Sequence, residues 1–111
     1  MSIQNVKISV TAPLENINDI RDAMAKAGAG VIGNYSYCSI TSKCIGTFKG
    51  NNNSDPYFGE KNKVNIVEEI KLEMICDISI AKEVIKKIRI AHPYEEPAIE
   101  IIPLLDEKDF Q

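Results

Sequence analysis

The sequence predicts an α+β domain with the β-α-β-β-α-β order of a ferredoxin-like fold. Three observations predict it: apolar alternations typical of half-buried strands, two apolar stripes at helical spacing, and the order of these segments along the chain. The chain has 111 residues, which suits one domain. We expect residues 1–105 to form that domain and residues 106–111 to be a loose polar tail.

The first strand and helix follow from clear periodicities. Apolar and polar residues alternate from Ile3 to Thr11, which predicts a strand with one buried face. Pro13 ends this alternation, and a helix is predicted from about residue 14 to residue 27, with its apolar residues on one stripe. Gly28 stands where helices commonly end.

The second strand and its loop are less regular. A strand is predicted to start at Tyr35 and to continue past a bend or bulge at Gly46 as far as Phe48. Residues 49–60 are rich in glycine, asparagine and proline, a composition typical of turns. This loop is long, so either a mobile connector or a partner-contact loop is compatible with it.

The second half repeats the pattern of the first. A third strand is predicted over residues 64–75, and Asp77 is a suitable N-cap for the following helix. His92 should end that helix because a residue before proline is pushed out of the α region. The last strand is predicted over residues 98–104.

This order predicts a four-stranded antiparallel sheet with both helices on one face, since each half needs a right-handed crossover. The alternation in the first and third strands agrees, because one parity is apolar and can face the helices. The other parity is largely polar. The second face of the sheet is therefore either hydrated or packed against another subunit.

Composition narrows the class of protein. Hydrophobic residues make up 44% of the chain and charged residues 26%, which argues against disorder. The net charge of −3 lacks the basic excess that nucleic-acid binding needs. The N-terminus does not resemble a signal peptide, and no apolar run suits a membrane helix. Three cysteines without a C-x-x-C pair indicate a reduced, cytoplasmic protein without a disulfide framework.

The proline-flanked segment around His92 is the main candidate for chemistry. His92 is the only histidine, and with Glu95 and Glu96 it suits a general base, a metal ligand or a proton-linked switch. A metal site would need several converging ligands, for which Cys38 and Cys44 are the further candidates if the second strand lies near this segment. A purely structural turn is the simpler and favoured reading, since it explains the prolines, but it does not explain the paired glutamates, and both readings stay open. Cys38 as a nucleophile has no supporting Cys–His signature.

Three longer segments carry a family resemblance: residues 27–35 with Cys38-Ser39, Gly46-Thr47-Phe48 followed by residues 56–60, and residues 92–98. Together they resemble the domain inserted in many bacterial members of the NGG-one-interacting-factor-three-like family, often labelled a GTP-cyclohydrolase type-two homologue. The resemblance runs from about Val6 to Leu104. Because the insert also occurs as a short separate protein, we expect this chain to be that form.

The resemblance implies a fold like that of the PII and CutA proteins and a homotrimer. The dinuclear metal centre of the family lies in its flanking core domains and uses several histidines, so this chain with one histidine cannot assemble it. The hydrolase activities attributed to full-length members therefore do not carry over. Tyr37 stands where the family usually has histidine, and Cys44 where it usually has glycine, which removes a histidine partner for His92.

The leading hypothesis is a non-catalytic regulatory or ligand-binding module, with a divalent metal ion, a small metabolite or another protein as its partner. Its site is predicted at a cleft between subunits. The residues predicted to meet there are Tyr35, Cys38, His92, Tyr94, Glu95 and Glu96. One alternative is a small enzyme with His92 as base and Glu95 or Glu96 as acid. Another is a structural interaction domain without a small ligand.

Overall fold

The computed structural model describes residues 2–111, in which two helices lie against one face of a four-stranded sheet. The main elements are β1 (Asn5–Ala12), α1 (Ile17–Lys26), β2 (Ile40–Phe48), β3 (Asn65–Asp77), α2 (Ala81–Ala91) and β4 (Ile99–Leu104). The strand order is β2-β3-β1-β4, and every pairing is antiparallel. The predicted ferredoxin-like class is confirmed.

The core lies between the helices and the apolar parity of the two central strands. On β1, Ile8 and Val10 are almost completely buried, and on β3 the same is true of Leu72. The helices contribute Ile20, Met24, Val84 and Ile88 to this layer. Each such side chain stabilises the fold by roughly 1.5–3 kcal/mol, so the alternation seen in the sequence is what fixes the face on which the helices lie.

Helix ends match the predicted signals. At the end of α1 the Gly28 and Ala29 amides bond to the Ala25 and Met24 carbonyls, and Gly28 has a φ of +108°. This is a Schellman motif, in which glycine takes the left-handed position. The Asp77 carboxylate accepts a hydrogen bond of 2.8 Å from the Ser79 amide, which caps the short 3-10 turn leading into α2.

The predicted start of the second strand at Tyr35 is wrong, because β2 begins at Ile40. Residues 28–39 instead form a compact segment, called here the glycine turn. Its Ile32 and Tyr35 exchange main-chain hydrogen bonds of 2.9 Å, while the Gly30 carbonyl accepts from the Cys38 amide at 2.8 Å. Main-chain bonds within the segment therefore outweigh the strand preference of its aromatic residues.

The predicted bend at Gly46 is also wrong. Gly46 pairs with Val67 within an unbroken ladder between β2 and β3. A Cβ atom at this position would collide with the carboxylate of Glu69, so the glycine leaves room for that carboxylate and does not form a bulge.

Strands β2 and β3 extend well past the helices. At 13 residues, β3 measures roughly 43 Å, whereas the 11 residues of α2 measure roughly 16 Å. The expectation that the apolar parity of the third strand, predicted over residues 64–75, faces the helices is therefore wrong at the start of that range. Ile66 on the projecting part of β3 and Val64 just before it are 68% and 63% exposed.

The second face of the sheet is not uniformly hydrated. Ser9 is buried there, and Lys7 of β1 makes an ion pair of 2.8 Å with Glu73 of β3. Beyond β4, Glu107–Phe110 forms a 3-10 turn capped by Asp106, whose carboxylate accepts a hydrogen bond from the Lys108 amide. Across residues 2–111, neither helix has the length and apolar character needed to cross a bilayer.

Candidate functional site

The segment of residues 92–98, called here the His92 corner, links α2 to β4. His92 ends α2 by adopting an extended conformation with a ψ of 136°, as the following proline requires. Its Nε2 atom lies 2.8 Å from the Thr11 carbonyl oxygen, and its Nδ1 atom accepts the Tyr94 amide at 3.1 Å. Nδ1 is thus an acceptor, so the proton must be on Nε2, which donates to Thr11.

His92 is held as a neutral imidazole. Only 7% of the residue is exposed, and burial lowers the pKa of His92, although the bond to the Thr11 carbonyl and the charge of Glu69 act in the opposite direction. Protonation of Nδ1 would also break the bond from the Tyr94 amide. Both ring nitrogens are therefore occupied by the fold itself.

Tyr94 connects the His92 corner to the buried carboxylate of Glu69. Its hydroxyl donates to Oε2 of Glu69 at 2.8 Å. Burial, and then this bond to Glu69, raise the pKa of Tyr94 well above its ordinary value. Glu69 belongs to β3 on the face away from the helices and is 8% exposed. Burial and the charge of Glu69 also raise the pKa of the Cys44 thiol on the adjacent strand.

The loop after β2 folds back onto the His92 corner. The Asp55 amide donates to Oε1 of Glu95 at 3.3 Å, and the rings of Tyr57 and Tyr94 lie with their centroids 6.0 Å apart. Internal bonds close the base of the loop, among them the Asn62 amide to the Gly50 carbonyl at 2.7 Å. The loop therefore has a defined path against the His92 corner.

These elements enclose an open cavity of about 280 Å³, called here the loop cleft. Glu69 and Tyr94 lie inside it, and aromatic side chains form much of its wall. Its lining includes Thr11, Gly46, Phe48, Lys49, Asp55, Tyr57, Phe58, Val67, Glu69, Tyr94, Glu95, Glu96 and Ala98. Several hydrogen-bonding groups thus converge on a largely apolar recess, as is common in small-molecule sites.

The structure divides the six predicted site residues between opposite ends of the sheet. The Cys38 amide donates a hydrogen bond to the Gly30 carbonyl, and the Gly30 amide donates to the Ile75 carbonyl. Ile75 pairs with Lys7 of β1, so Cys38 lies near that part of β1. His92 instead binds the Thr11 carbonyl, and Thr11 lies four residues, or roughly 13 Å, farther along β1 than Lys7.

Tyr35 and Cys38 therefore do not meet His92, Tyr94, Glu95 and Glu96 within one chain. Throughout residues 2–111 no three His, Cys, Asp or Glu side chains are grouped so that they could hold a metal ion. Glu96 instead lies 3.7 Å from Arg89. A metal site made from the predicted ligands would need a second chain.

Sequence reasoning missed Glu69 and Tyr57, and it misread Gly46. Glu69 shares the polar parity of β3 with residues that are half-buried, so its sequence position looks unremarkable. The sequence does contain one clue to Glu69, a glycine within one strand and an acidic residue on the next strand. This clue becomes informative only once the register between β2 and β3 places Gly46 close to Glu69.

Comparison with known proteins finds relatives that share one name. The chain is 41% identical over 101 residues to the GTP cyclohydrolase 1 type 2 homolog of Halalkalibacterium halodurans, and 40% identical over 98 residues to that of Bacillus subtilis. These matches cover 91% and 88% of this chain. The chain spans only 27% and 26% of the relatives' own length. No protein-family profile matches it.

Solved structures similar to this chain include a NIF3-related protein and CutA proteins. A Bacillus cereus protein related to NIF3 matches 96% of this chain with a TM-score of 0.79 and 36% identity, over 27% of its own chain. CutA from Archaeoglobus fulgidus, described as a periplasmic divalent cation tolerance protein, matches 96% of this chain and 90% of its own with a TM-score of 0.69. At 21% identity, the likeness to CutA concerns the fold alone. The predicted resemblance is confirmed: the chain is homologous to a segment, about a quarter in length, of the NIF3-family proteins named GTP cyclohydrolase 1 type 2 homolog.

Proposed function

We propose that this chain is a non-catalytic binding or regulatory module that holds a small molecule in the loop cleft. The observation that carries the proposal is the cleft itself, a recess of about 280 Å³ with a buried carboxylate and aromatic walls. Its loop is held by hydrogen bonds, so the recess exists before any ligand arrives. A preformed site costs less ordering free energy on binding than a disordered one.

The contacts of His92 favour binding over catalysis. A general base needs a nitrogen free to take a proton from substrate, and both nitrogens of His92 are engaged by Thr11 and Tyr94. The imidazole is also almost fully buried. Its contacts support a role in fixing the corner that forms one wall of the cleft.

A thermal-shift panel of nucleotides, common metabolites and divalent metals tests this proposal. Ligand binding raises stability with the logarithm of free ligand over its dissociation constant, by about 2.7 kcal/mol at a hundredfold excess. We expect at least one compound to stabilise the unmodified chain but not A98W, whose indole would fill the cleft from an exposed position in its lining.

The matched control is V31W, which places the same indole on the glycine turn at the opposite end of the sheet, where Val31 is 58% exposed. This variant should keep the full response. If every compound that stabilises the chain stabilises A98W equally, the loop cleft is not the binding site.

We further propose that the module works as a homo-oligomer, with a trimer favoured, in the cytoplasm. The projecting ends of β2 and β3 support this, because Ile45 and Ile66 are 71% and 68% exposed there. Apolar side chains clustered on a projecting hairpin are typical of an interaction surface. The three cysteines are all free thiols, which suits a reducing compartment.

The mass in solution, measured by light scattering, tests the oligomer. I66E should lower the mass if the hairpin is the interface, since burial of an unpaired charge is unfavourable. I90E is the control, because Ile90 is equally exposed at 70% but belongs to α2 and not to the hairpin. A monomeric mass for the unmodified chain at all concentrations would contradict this part of the proposal.

A further inference from the structure

The charge of the loop cleft is one-sided. Four carboxylates line it, those of Asp55, Glu69, Glu95 and Glu96. Lys49 is the only cationic residue in the lining. Such a recess disfavours phosphates and carboxylates and attracts a positively charged group.

Glu69 gives a second observation, which does not depend on the number of acidic residues. Its side chain lies at the floor of the cleft, and the residue is only 8% exposed. Oε2 accepts the Tyr94 hydroxyl, while Oε1, on the side of Gly46, accepts no hydrogen bond from any of residues 2–111. None of the ion pairs formed by those residues includes Glu69.

Among residues 2–111 the one buried side-chain oxygen or nitrogen without a hydrogen bond is Oδ1 of Asn16, so Oε1 of Glu69 is still open to the cleft. A carboxylate with so little exposed area gains stability from a donor or a cation that pairs with it. The hydroxyl of Tyr94 supplies one neutral donor. The second oxygen therefore has capacity for a charged donor that enters through the cleft. The missing Cβ at Gly46 leaves the approach to this oxygen free of a side chain on that strand.

The walls favour an organic cation over a metal ion. The rings of Tyr57, Phe58 and Tyr94 line the recess, and aromatic faces attract ammonium groups by cation–π interaction. A metal ion would need at least three convergent ligands, and no such group exists within residues 2–111. The cavity volume of about 280 Å³ corresponds to a small molecule.

We propose that the loop cleft binds a small protonated amine with an apolar body, its ammonium group donating to Oε1 of Glu69 and its body lying against Tyr57 and Tyr94. This inference rests on the proposed function and specifies its ligand class.

Benzylamine, benzyl alcohol and benzoate are suitable probes because they share an aromatic body and differ in charge at neutral pH. Each is titrated into the ¹⁵N-labelled full chain, and amide shifts are followed by NMR. We expect benzylamine to shift the amides of Gly46, Val67 and Tyr94. Benzyl alcohol should bind about tenfold more weakly, as expected for loss of a charged hydrogen bond, and benzoate should leave these amides unchanged.

Two variants assign the effect to one carboxylate. E69Q should weaken the binding of benzylamine about tenfold or more and leave the affinity for benzyl alcohol unchanged, since the substitution removes the charge of the side chain but keeps its shape. E68Q is the matched control, because Glu68 is the neighbouring residue on the opposite, exposed side of β3, and it should behave like the unmodified chain. The comparison of benzylamine with benzyl alcohol on the unmodified chain remains decisive even if E69Q does not fold.

The outcomes separate this inference from the proposed function. Equal binding of benzylamine and benzyl alcohol, or an unchanged benzylamine affinity in E69Q, would overturn the amine assignment while leaving a binding cleft. If the chain binds Nα-acetyl-lysinamide but does not bind benzylamine, the assignment of a small amine is overturned, and the ligand is instead a lysine side chain of a protein partner. If no probe shifts the cleft amides and no panel compound stabilises the chain, both proposals fail.

Discussion

The glycine turn and the His92 corner lie at opposite ends of the same sheet, and they are fixed by different kinds of contact. Main-chain hydrogen bonds fix the glycine turn, in which Gly30 bonds to both Cys38 and Ile75. Side chains fix the His92 corner, through the bonds from His92 to Thr11 and from Tyr94 to Glu69.

This difference separates structural from functional readings of the two segments. Main-chain bonds are insensitive to the identity of exposed side chains: Tyr35 holds the turn through its main chain, while the residue is 75% exposed. The corner instead buries titratable groups, which is costly unless those groups are paired and is a frequent property of binding sites. The comparison predicts that substitutions restricting the backbone lower stability most in the glycine turn, whereas changes of pH and charge act mainly at the His92 corner.

The largest effect is expected at Gly30. With a φ of +80°, this residue has left-handed backbone, and an added Cβ would lie 2.8 Å from the Cys38 carbonyl oxygen and 2.6 Å from Cε of Met74. G30A should lower the free energy of unfolding by about 2–5 kcal/mol, the sum of about 1–2 kcal/mol for left-handed backbone and about 1–3 kcal/mol for overpacking. Urea unfolding measures this loss.

The control for Gly30 is G33A in the same turn. Gly33 has a φ of +57°, but nothing lies within 4 Å of an added Cβ, so only the backbone cost of about 1–2 kcal/mol is expected. If G30A and G33A lose the same stability, close packing against Cys38 and Met74 does not fix the glycine turn.

The second effect is a pH dependence that should arise at the His92 corner. Burial lowers the pKa of His92 in the folded state, whereas in the unfolded chain the pKa is near the ordinary value of about 6.5. The unfolded state therefore binds a proton first as the pH falls. Stability should be full above that value and should decrease through the interval down to the lowered folded pKa, at no more than about 1.4 kcal/mol per pH unit.

Urea unfolding at several pH values between 7.5 and about 5.5 checks this slope, a window chosen to lie above the ordinary carboxylate pKa values. The groups that face the imidazole are the Thr11 carbonyl, Tyr94 and Glu69. H92Q removes the only imidazole of the chain, so it should be less stable at pH 7 and nearly flat over this window. An equal slope in H92Q and the unmodified chain would show that His92 is not its source.

Much of the fold could be predicted because its signals are local. The alternation in β1 and the stripe of α1 depend on residues within a few positions of one another, and both are confirmed. The end of α2 at His92 depends only on the following proline. The start of β2 could not be predicted, because Tyr35 favours strands locally and the bonds that prevent a strand join Gly30 to Cys38.

The candidate site was only partly predictable for the same physical reason. His92 and Tyr94 stood out through composition, whereas Glu69 looks like any polar residue of a half-exposed strand. Its contacts come from a tyrosine 25 residues later in the chain, and the loop that lines the same cleft bonds to Glu95, which is farther still along the chain. Neither contact has a signature within the sequence around Glu69, so only the three-dimensional pairing identifies it.

The smallest expected effect tests whether close packing in the loop cleft explains Gly46. In an ordinary strand, alanine is more stable than glycine by roughly 0.5–1 kcal/mol, and Gly46 has no left-handed backbone that would reverse this preference. G46A should nevertheless lower the free energy of unfolding by about 1 kcal/mol, because the new methyl group displaces the Glu69 carboxylate from Tyr94. In the E69A background the obstacle is gone, and the same substitution should be neutral or stabilising. This double-mutant cycle, measured by urea unfolding, isolates the contact between the two positions. If G46A costs the same in both backgrounds, the glycine serves the backbone of β2 and not the carboxylate beneath the cleft.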